Sequence, residues 1–319
     1  QRLEKSVDHF VDIRHMSPHA AASKMREDHI DILVDLTGFT HNSRSAIAAL
    51  RPARLNINWL GYPGTMGDLS ENRPLFDYLL TDAFITPQIQ ATQYAEQLLY
   101  LPHCYQPNDR KRPVGVAPTR AECGLPEHGF VFCCFNQTFK ILPSMFDIWM
   151  RLLSARADSV LWLLDCNPIA RKNLLREAEK RGIAAGRLVF APRVPIAQHL
   201  ARHVHADLVL DTLPYNAQTT ASDALWMGVP LLTCVGDTFP GRVAASMLHT
   251  IGLEELITFS LQEYEQQALR LSTDQPALMR LKSALAQMKS SSPLFDTDRF
   301  TRDLENCYRT VLSAAMSAT

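Results

Sequence analysis

Residues 207–228 read DLVLDTLPYNAQTTASDALWMG, and this stretch predicts a buried strand, a polar loop and the start of a helix. The apolar run at 208–210 is typical of a strand in a parallel sheet, where both faces are covered. The helix is expected over 221–227, and Gly228, followed by Val and Pro, would end it. This stretch therefore predicts a loop between a strand and a helix, a common place for a ligand in an α/β protein.

Polar side chains cluster where this helix is expected to begin. Thr219 and Thr220 would bring hydroxyls to a point where free main-chain N–H groups and the positive end of the helix dipole already meet. The cluster suits a phosphate group, and Asp223, one turn later, suits a ribose hydroxyl. The spacing Thr220-x-x-Asp223 equally fits a capping box, in which both residues only stabilise the helix end.

The alternation of apolar strands with helices extends along the chain in both directions and predicts parallel sheets covered on both faces. Strands are predicted at 30–36, 55–60, 78–80, 98–101, 130–135, 160–164, 188–190, 208–210 and 231–235. Helices are predicted at 43–50, 144–153, 168–181, 196–203, 221–227, 242–251 and from 296 onward. We expect an α/β chain of two doubly wound, Rossmann-like lobes that binds its ligand in the cleft between them.

A segment at 106–126, rich in Pro, Arg and Gly, is typical of a connection between two lobes. We expect residues 1–115 to contain part of the N-terminal lobe and this linker. Residues 116–319 are expected to form the C-terminal lobe, which a long helix closes.

Two further stretches carry candidate ligand-binding residues. In the first, a predicted strand ends in Asn136-Gln137, and Lys140 follows just before a helix. A Lys at the carboxyl end of a strand can neutralise a diphosphate as a point charge, although a solvated surface Lys has the same spacing. In the second, the loop at 59–67 reads WLGYPGTMG. Its glycines allow close approach of the backbone to a ligand, but an ordinary tight loop has the same composition.

The composition excludes several classes of protein. Lys and Arg total 32 against 33 Asp and Glu, so the net charge of −1 gives no general attraction to nucleic acid or to an anionic membrane. The apolar runs are too short to cross a bilayer. The seven cysteines include no C-x-x-C pair, and the histidines show no metal-binding spacing. We therefore expect a reduced, cytoplasmic protein without a metal site.

Several short motifs follow one another along the chain. They are RPA at 51–53, WLGYPGT at 59–65, FNQ at 135–137, KI-x-P at 140–143, SVLWLL at 159–164, TT-x-x-D-x-LW-x-G-x-P at 219–230, RVAAS at 242–246 and SSPLF at 291–295. In this order they resemble the O-GlcNAc transferases of glycosyltransferase family 41, from about Ile30 to the end. The resemblance implies a GT-B fold and an inverting, metal-independent transfer of N-acetylglucosamine. The implied donor is UDP-N-acetylglucosamine (UDP-GlcNAc), with no cofactor, and the implied acceptors are Ser and Thr hydroxyls of proteins.

The resemblance also implies a role for individual residues. Lys140 would hold the diphosphate and stabilise the departing UDP, with Gln137 beside it. Thr219 and Thr220 would donate to the diphosphate, and Asp223 would bind the uridine ribose. The other implied residues are Gln218 before the Thr pair, His199 and Arg202 on the uridine side, and Leu60, Gly61 and Pro63 in the sugar pocket.

The sequence departs from the animal members of this family in ways that indicate a bacterial type. Gln218 stands where they have His, and Ile196 stands where they have a uridine-contacting Lys. The long insert between the lobes and the tetratricopeptide repeats have no counterpart. The N-lobe segment with Asp and His near the attacking hydroxyl has no match either, so we expect that segment, and any such repeats, on the same or a companion chain. His41 and Asp68 are the local polar alternatives.

Other functions share much of this pattern. A peptide N-glycosyltransferase of the same family would modify Asn instead of Ser or Thr. The unmatched N-lobe segment favours a non-catalytic module that binds a UDP-sugar, and a GT-B sugar-nucleotide epimerase is a further alternative.

Overall fold

A computed structural model describes residues 4–317 and places two parallel sheets in two separate units. The first unit holds the described residues up to Tyr105 together with those from Arg302 onward, and the second holds Gln106–Thr301. The division therefore lies ahead of the boundary at residue 115 that the sequence suggests.

Contacts of the connecting segment and of the chain end account for this division. Within the second unit, the amide of Gly115 donates to the carbonyl of Ala197 at 2.9 Å. Within the first, the thiol of Cys307 donates to the carbonyl of Tyr100 at 3.6 Å. The linker thus packs with the lobe that follows it, and the last helix returns to the lobe that began the chain.

The first unit is built on a four-stranded parallel sheet with the strand order β1-β2-β5-β6, and β3 and β4 form a separate antiparallel pair. The strands are β1 Ile32–Asp35, β2 Leu55–Asn58, β3 Asp68–Ser70, β4 Arg73–Pro74, β5 Tyr78–Asp82 and β6 Gln97–Leu101. The strand predicted at 30–36 ends early because the Asp35 carboxylate accepts from the amides of Thr37 and Gly38, which turns the chain.

Helices α1 (Pro18–Glu27) and α2 (Ser45–Ala49) belong to the first unit. The Ser17 hydroxyl caps α1 by accepting from the amide of Ala20 at 3.2 Å. Helix α2 is shorter than the predicted 43–50 because Arg51, with φ of 51°, turns out of the helix just before a proline.

The second unit contains a six-stranded parallel sheet with the strand order β12-β11-β10-β7-β8-β9. Its strands are β7 Phe130–Cys134, β8 Ser159–Leu164, β9 Leu188–Ala191, β10 Leu208–Leu210, β11 Leu231–Cys234 and β12 Ile257–Thr258. Strands β7, β10 and β11 are buried along their whole length, which matches their continuous apolar sequences.

Helices surround this sheet, and their buried stripes complete its core. They are α3 Pro143–Ala155, α4 Pro168–Lys180, α5 Ile196–Arg202, α6 Thr219–Trp226, α7 Val243–Ile251, α8 Leu261–Thr273, α9 Gln275–Ser291 and α10 Thr297–Ser317, which continues into the first unit. Short 3₁₀ helices occupy Glu4–Ser6, Gln88–Gln93, Thr138–Lys140, Ala185–Arg187, His203–His205, Phe239–Gly241, Glu254–Leu256 and Pro293–Phe295. The largest fully buried side chains of the second unit include Trp149, Trp162 and Tyr264.

Candidate functional site

A cavity of about 500 Å³ opens in the second unit, at the point in its sheet where the order of the strands reverses. After β7 the chain adds β8 and β9 on one side, and then returns to place β10 on the other side of β7. The carboxyl ends of β7 and β10 thus form the switch point at which doubly wound sheets bind ligands. Among the predicted residues, this switch-point cavity is lined by Gln137, Lys140, His199, Arg202, Gln218, Thr219 and Thr220.

Lys140 reaches the cavity from the 3₁₀ helix that follows β7. Its ammonium donates to the carbonyl of Asn216 at 2.8 Å and lies 4.1 Å from the centre of the Tyr215 ring. Burial lowers the pKa of Lys140, and the nearby Asp211 opposes that shift. An ammonium carries three N–H donors, so Lys140 is a half-buried, anchored cation that can also bind an anion.

The start of α6 lies on the cavity wall, but it is not built as a capping box. The helix begins at Thr219, and Gln218 is its N-cap residue. The side chain of Gln218 accepts no hydrogen bond from the amides of the first turn. The Thr220 hydroxyl donates to the side-chain carbonyl of Asn136 at 2.6 Å, and Asp223 pairs with Arg112 instead. The capping-box interpretation is therefore wrong, because both side chains have partners on other segments.

Asn136 ties the two strand ends together. Its side-chain amide donates to the Thr212 hydroxyl at 2.8 Å and to the Asp211 carboxylate at 3.3 Å, while its carbonyl accepts from Thr220. Asn136, two residues after β7, thus holds the loop after β10 and the start of α6. This network fixes the relative positions of the groups on both sides of the cavity.

His199 and Arg202, on α5, also line the cavity. The guanidinium of Arg202 donates to the Pro192 carbonyl at 2.8 Å, contacts Nδ1 of His199 at 2.5 Å and lies 4.5 Å from the centre of the Phe135 ring. Burial, with smaller contributions from His203 and Arg202, lowers the pKa of His199 to about 3. His199 is therefore neutral at physiological pH, and its ring offers a flat, uncharged surface.

Acid should destabilise the protein through His203. This residue is 1% exposed, and burial lowers its pKa to about 4. The unfolded chain takes up the proton near pH 6.5, so stability that is present above that pH is lost as the pH falls towards 4. The loss from this residue is expected to reach about 2 kcal/mol at pH 5.

Urea unfolding at pH 7 and pH 5 measures this effect. The difference between the two pH values should be smaller in His203→Gln than in the wild type, whereas His128→Gln, at a 90% exposed side chain, should keep the wild-type difference. An equal pH dependence in His203→Gln and the wild type would show that His203 is not held neutral.

Asp223 and Arg112 form a buried ion pair beside the cavity. The guanidinium of Arg112 donates to the Asp223 carboxylate at 2.6 Å and to the Ser222 hydroxyl at 2.6 Å. The second carboxylate oxygen lies 3.9 Å from Nε2 of His199. Burial raises the pKa of Asp223 and lowers that of Arg112 despite their mutual attraction. Ribose binding by Asp223 stays a prediction.

The predicted sugar-pocket residues belong to the first unit, in the loop after β2. Leu60 has φ of 72°, and Gly61 lies so close to the preceding strand's loop that a Cβ would meet the carbonyl oxygen of Leu36 at 2.1 Å. Pro63 is buried in the same loop. The tight packing explains why Gly stands at position 61, and the assignment of Leu60, Gly61 and Pro63 to a sugar stays a prediction.

No helix among residues 4–317 is long and apolar enough to cross a membrane. Within the same range, no three His, Cys, Asp or Glu side chains are grouped so that they could hold a metal ion.

Comparison with known proteins identifies the family. The model for glycosyl transferase family 41 matches residues 1–115 and 107–304. The chain belongs to glycosyltransferase family 41. Two similar proteins are named probable UDP-N-acetylglucosamine–peptide N-acetylglucosaminyltransferase: SEC of Arabidopsis thaliana, 36% identical over 97% of this chain, and SPINDLY of Solanum lycopersicum, 35% identical over 94%. The chain spans about a third of the length of these curated relatives, since each match covers 32% of the relative.

A solved structure supports the same assignment. An O-GlcNAc transferase mutant from Thermobaculum terrenum is 34% identical and matches 100% of this chain and 60% of its own, with a TM-score of 0.90. The GT-B fold predicted from the sequence is confirmed, as is the prediction of a family 41 homologue.

The switch-point cavity and its surroundings also contain residues to which the sequence analysis assigned no role. Asp211 directly follows β10 and Asn136 comes two residues after β7, so the sequence itself indicates that both lie at the carboxyl edge of the sheet. Arg193 lines the switch-point cavity and donates to the side-chain carbonyl of Gln137 at 3.3 Å. Arg112 gave no such signal, because it lies in the linker and far in sequence from its partner.

Proposed function

We propose that this family 41 chain takes part in the transfer of N-acetylglucosamine from UDP-GlcNAc to Ser and Thr hydroxyls of proteins. We further propose that the transfer inverts the configuration of the sugar and needs no metal ion. The names of the relatives and of the solved transferase support the donor and the protein acceptor.

The observation that carries this proposal is the convergence of Lys140 with the start of α6 on one cavity. Breaking the bond between the sugar and UDP leaves negative charge on the β-phosphate. The ammonium of Lys140, the hydroxyl of Thr219 and the first amides of α6 are donors that can neutralise this charge, whereas the single O–H of Thr220 already donates to Asn136 at 2.6 Å. Fixed donors of this kind supply the stabilisation that a metal ion provides in other transferases.

Inversion follows if the acceptor hydroxyl attacks the sugar from the face opposite to UDP. The leaving diphosphate would then stay with the second unit, held by Lys140 and α6. His199 and Arg202 line the same cavity, and a neutral imidazole beside a guanidinium suits a nucleobase and its ribose. We therefore assign the uridine to the end of the cavity that these two side chains line.

Calorimetry with UDP tests the binding step. We expect a dissociation constant well below millimolar, because UDP carries most of the contacts that the cavity offers. Absence of binding at millimolar UDP would contradict the proposal. Gln218 and Ile196 stand where the animal enzymes have His and Lys. The affinity of a Gln218→His variant for UDP measures how much the first of these differences changes binding.

Transfer of labelled sugar from UDP-GlcNAc tests the reaction. Label that alkali releases from protein is expected for Ser and Thr acceptors, whereas alkali-stable label on Asn would indicate the N-glycosyltransferase. Binding of UDP-GlcNAc with no transfer would favour a non-catalytic binding module, and free, altered sugar would favour an epimerase.

A further inference from the structure

Asp211 is a buried carboxylate at the carboxyl end of β10, and it is 1% exposed. Its oxygens accept from the amides of Thr212 at 2.7 Å and Ala217 at 2.6 Å, from the Thr233 hydroxyl at 2.7 Å and from the side chain of Asn136 at 3.3 Å. Four donors therefore converge on its two oxygens. The arrangement holds a negative charge at the base of the loop that follows β10.

This carboxylate closes the loop that anchors Lys140. The amides of Thr212 and Ala217 lie near the two ends of the loop, and Asp211 binds both. Between them, the carbonyl of Asn216 accepts from the Lys140 ammonium, and the Asn216 side chain donates to the carbonyl of Thr212 at 2.8 Å. The position of the ammonium therefore depends on a loop that Asp211 holds in shape.

The ionisable groups that face Asp211 come from four segments: β7, the 3₁₀ helix that follows it, β11 and α8. Cys134 in β7 and Cys234 in β11 are thiols whose pKa values burial raises, and Tyr264 in α8, whose hydroxyl donates to the Asp211 carbonyl at 3.0 Å, has its pKa raised in the same way. These groups are neutral at physiological pH. Lys140 is the cation among them, and it favours the charged form of Asp211, whose pKa burial raises to about 6.

We propose that Asp211 is a positioning residue for Lys140: it closes the loop whose Asn216 carbonyl anchors the ammonium, and it places a buried negative charge at the base of that loop. The role of Lys140 in transfer rests on the proposed function. The coupling between the two side chains is a property of the free protein and can be measured without any ligand.

Asp211→Asn separates charge from shape. The Asn carbonyl oxygen can still accept from the loop amides, and its NH₂ group can donate to the Thr233 hydroxyl, but the negative charge is gone. Asp207→Asn is a matched control at the other end of β10. Asp207 accepts from the amide of Val131 at 2.9 Å and pairs with Lys282 at 3.2 Å, away from the loop.

Competitive labelling of amines over a pH series, read by mass spectrometry, gives the apparent pKa of Lys140 in the free protein. We expect it to fall by about one pH unit or more in Asp211→Asn, because a facing negative charge has been removed, and to stay unchanged in Asp207→Asn. Lys180, which is 60% exposed, serves as an internal reference. An unchanged value in Asp211→Asn, or an equal fall in Asp207→Asn, would overturn the proposal.

The reciprocal measurement covers the case in which Asp211→Asn does not fold. Coupling between two groups is mutual, so the pKa of the Asp211 carboxyl, followed by ¹³C NMR, should rise in Lys140→Met. An unchanged value there would also overturn the proposal.

In a transfer assay, the alkaline limb of the pH–rate profile should move to lower pH in Asp211→Asn, since Lys140 must be protonated to act. A wild type that transfers no sugar would contradict the proposed function, while the labelling result would still decide the role of Asp211.

Discussion

Lys140→Met is expected to fold normally and to reduce the turnover of sugar transfer by about 10²–10³, the usual cost of removing one preorganised stabiliser of a developing charge. The charge on the β-phosphate grows as the bond to the sugar breaks, so Lys140 stabilises the transition state more than the bound donor. Its ammonium is already anchored by the Asn216 carbonyl and the Tyr215 ring, and needs little rearrangement to meet that charge.

Single-turnover transfer and UDP titration on the same purified variant measure this effect. Turnover should fall far more than UDP affinity, because the first amides of α6 and the uridine end of the cavity are untouched. Lys180→Met replaces an exposed Lys on α4 and should behave like the wild type. Wild-type turnover in a folded Lys140→Met protein would mean that the leaving group is stabilised elsewhere.

Much of the fold could be predicted because its main elements are long and strongly patterned. The buried strands at 130–134 and 159–164 are continuous apolar runs, and a parallel sheet follows from their alternation with helices. Helices α8 and α9 were not predicted. Their N-cap residues are Ser260 and Asp274, and residues of these two types are signals for the start of a helix in a sequence. Strand β12 has only two residues, which is too short for any periodicity to appear.

The candidate site was predictable where its residues lie between the end of a strand and the helix that follows it. Parallel strands bring their carboxyl ends to one edge of a sheet, so Gln137, Lys140 and the Thr pair were expected to meet, and the cavity contains them. The partners of these residues were not predictable, because hydrogen bonds between distant segments leave no local pattern. The spacing Thr220-x-x-Asp223 illustrates this limit: it matches a capping box, yet Asn136 and Arg112 bind the two side chains.

Arg112 and Asp223 form a buried ion pair. Replacing one of these two side chains should reduce the stability of the protein more than any other substitution considered above. Their side chains are 11% and 5% exposed, and the guanidinium lies 5.6 Å from the centre of the Trp226 ring. Removing one partner of such a pair leaves an uncompensated buried charge and typically costs about 3–5 kcal/mol. Since burial acts against both charged forms, replacing both residues by uncharged ones should recover much of that loss.

A double-mutant cycle of Arg112→Met, Asp223→Asn and the double variant, measured by urea unfolding, tests this expectation. Compared with the wild type at the same pH, Arg112→Met should lose more stability at pH 8 than near pH 5, because the pKa of the unpaired, buried Asp223 rises further and its neutral form stabilises the fold only below that pKa. UDP titration of Asp223→Asn then separates the two roles of the carboxylate. An affinity loss of about 1.5–3 kcal/mol is expected if Asp223 also binds ribose, whereas unchanged affinity with reduced stability would leave it as the partner of Arg112 alone. Additive stability changes in the cycle would contradict the pair itself, since two side chains in direct contact must couple.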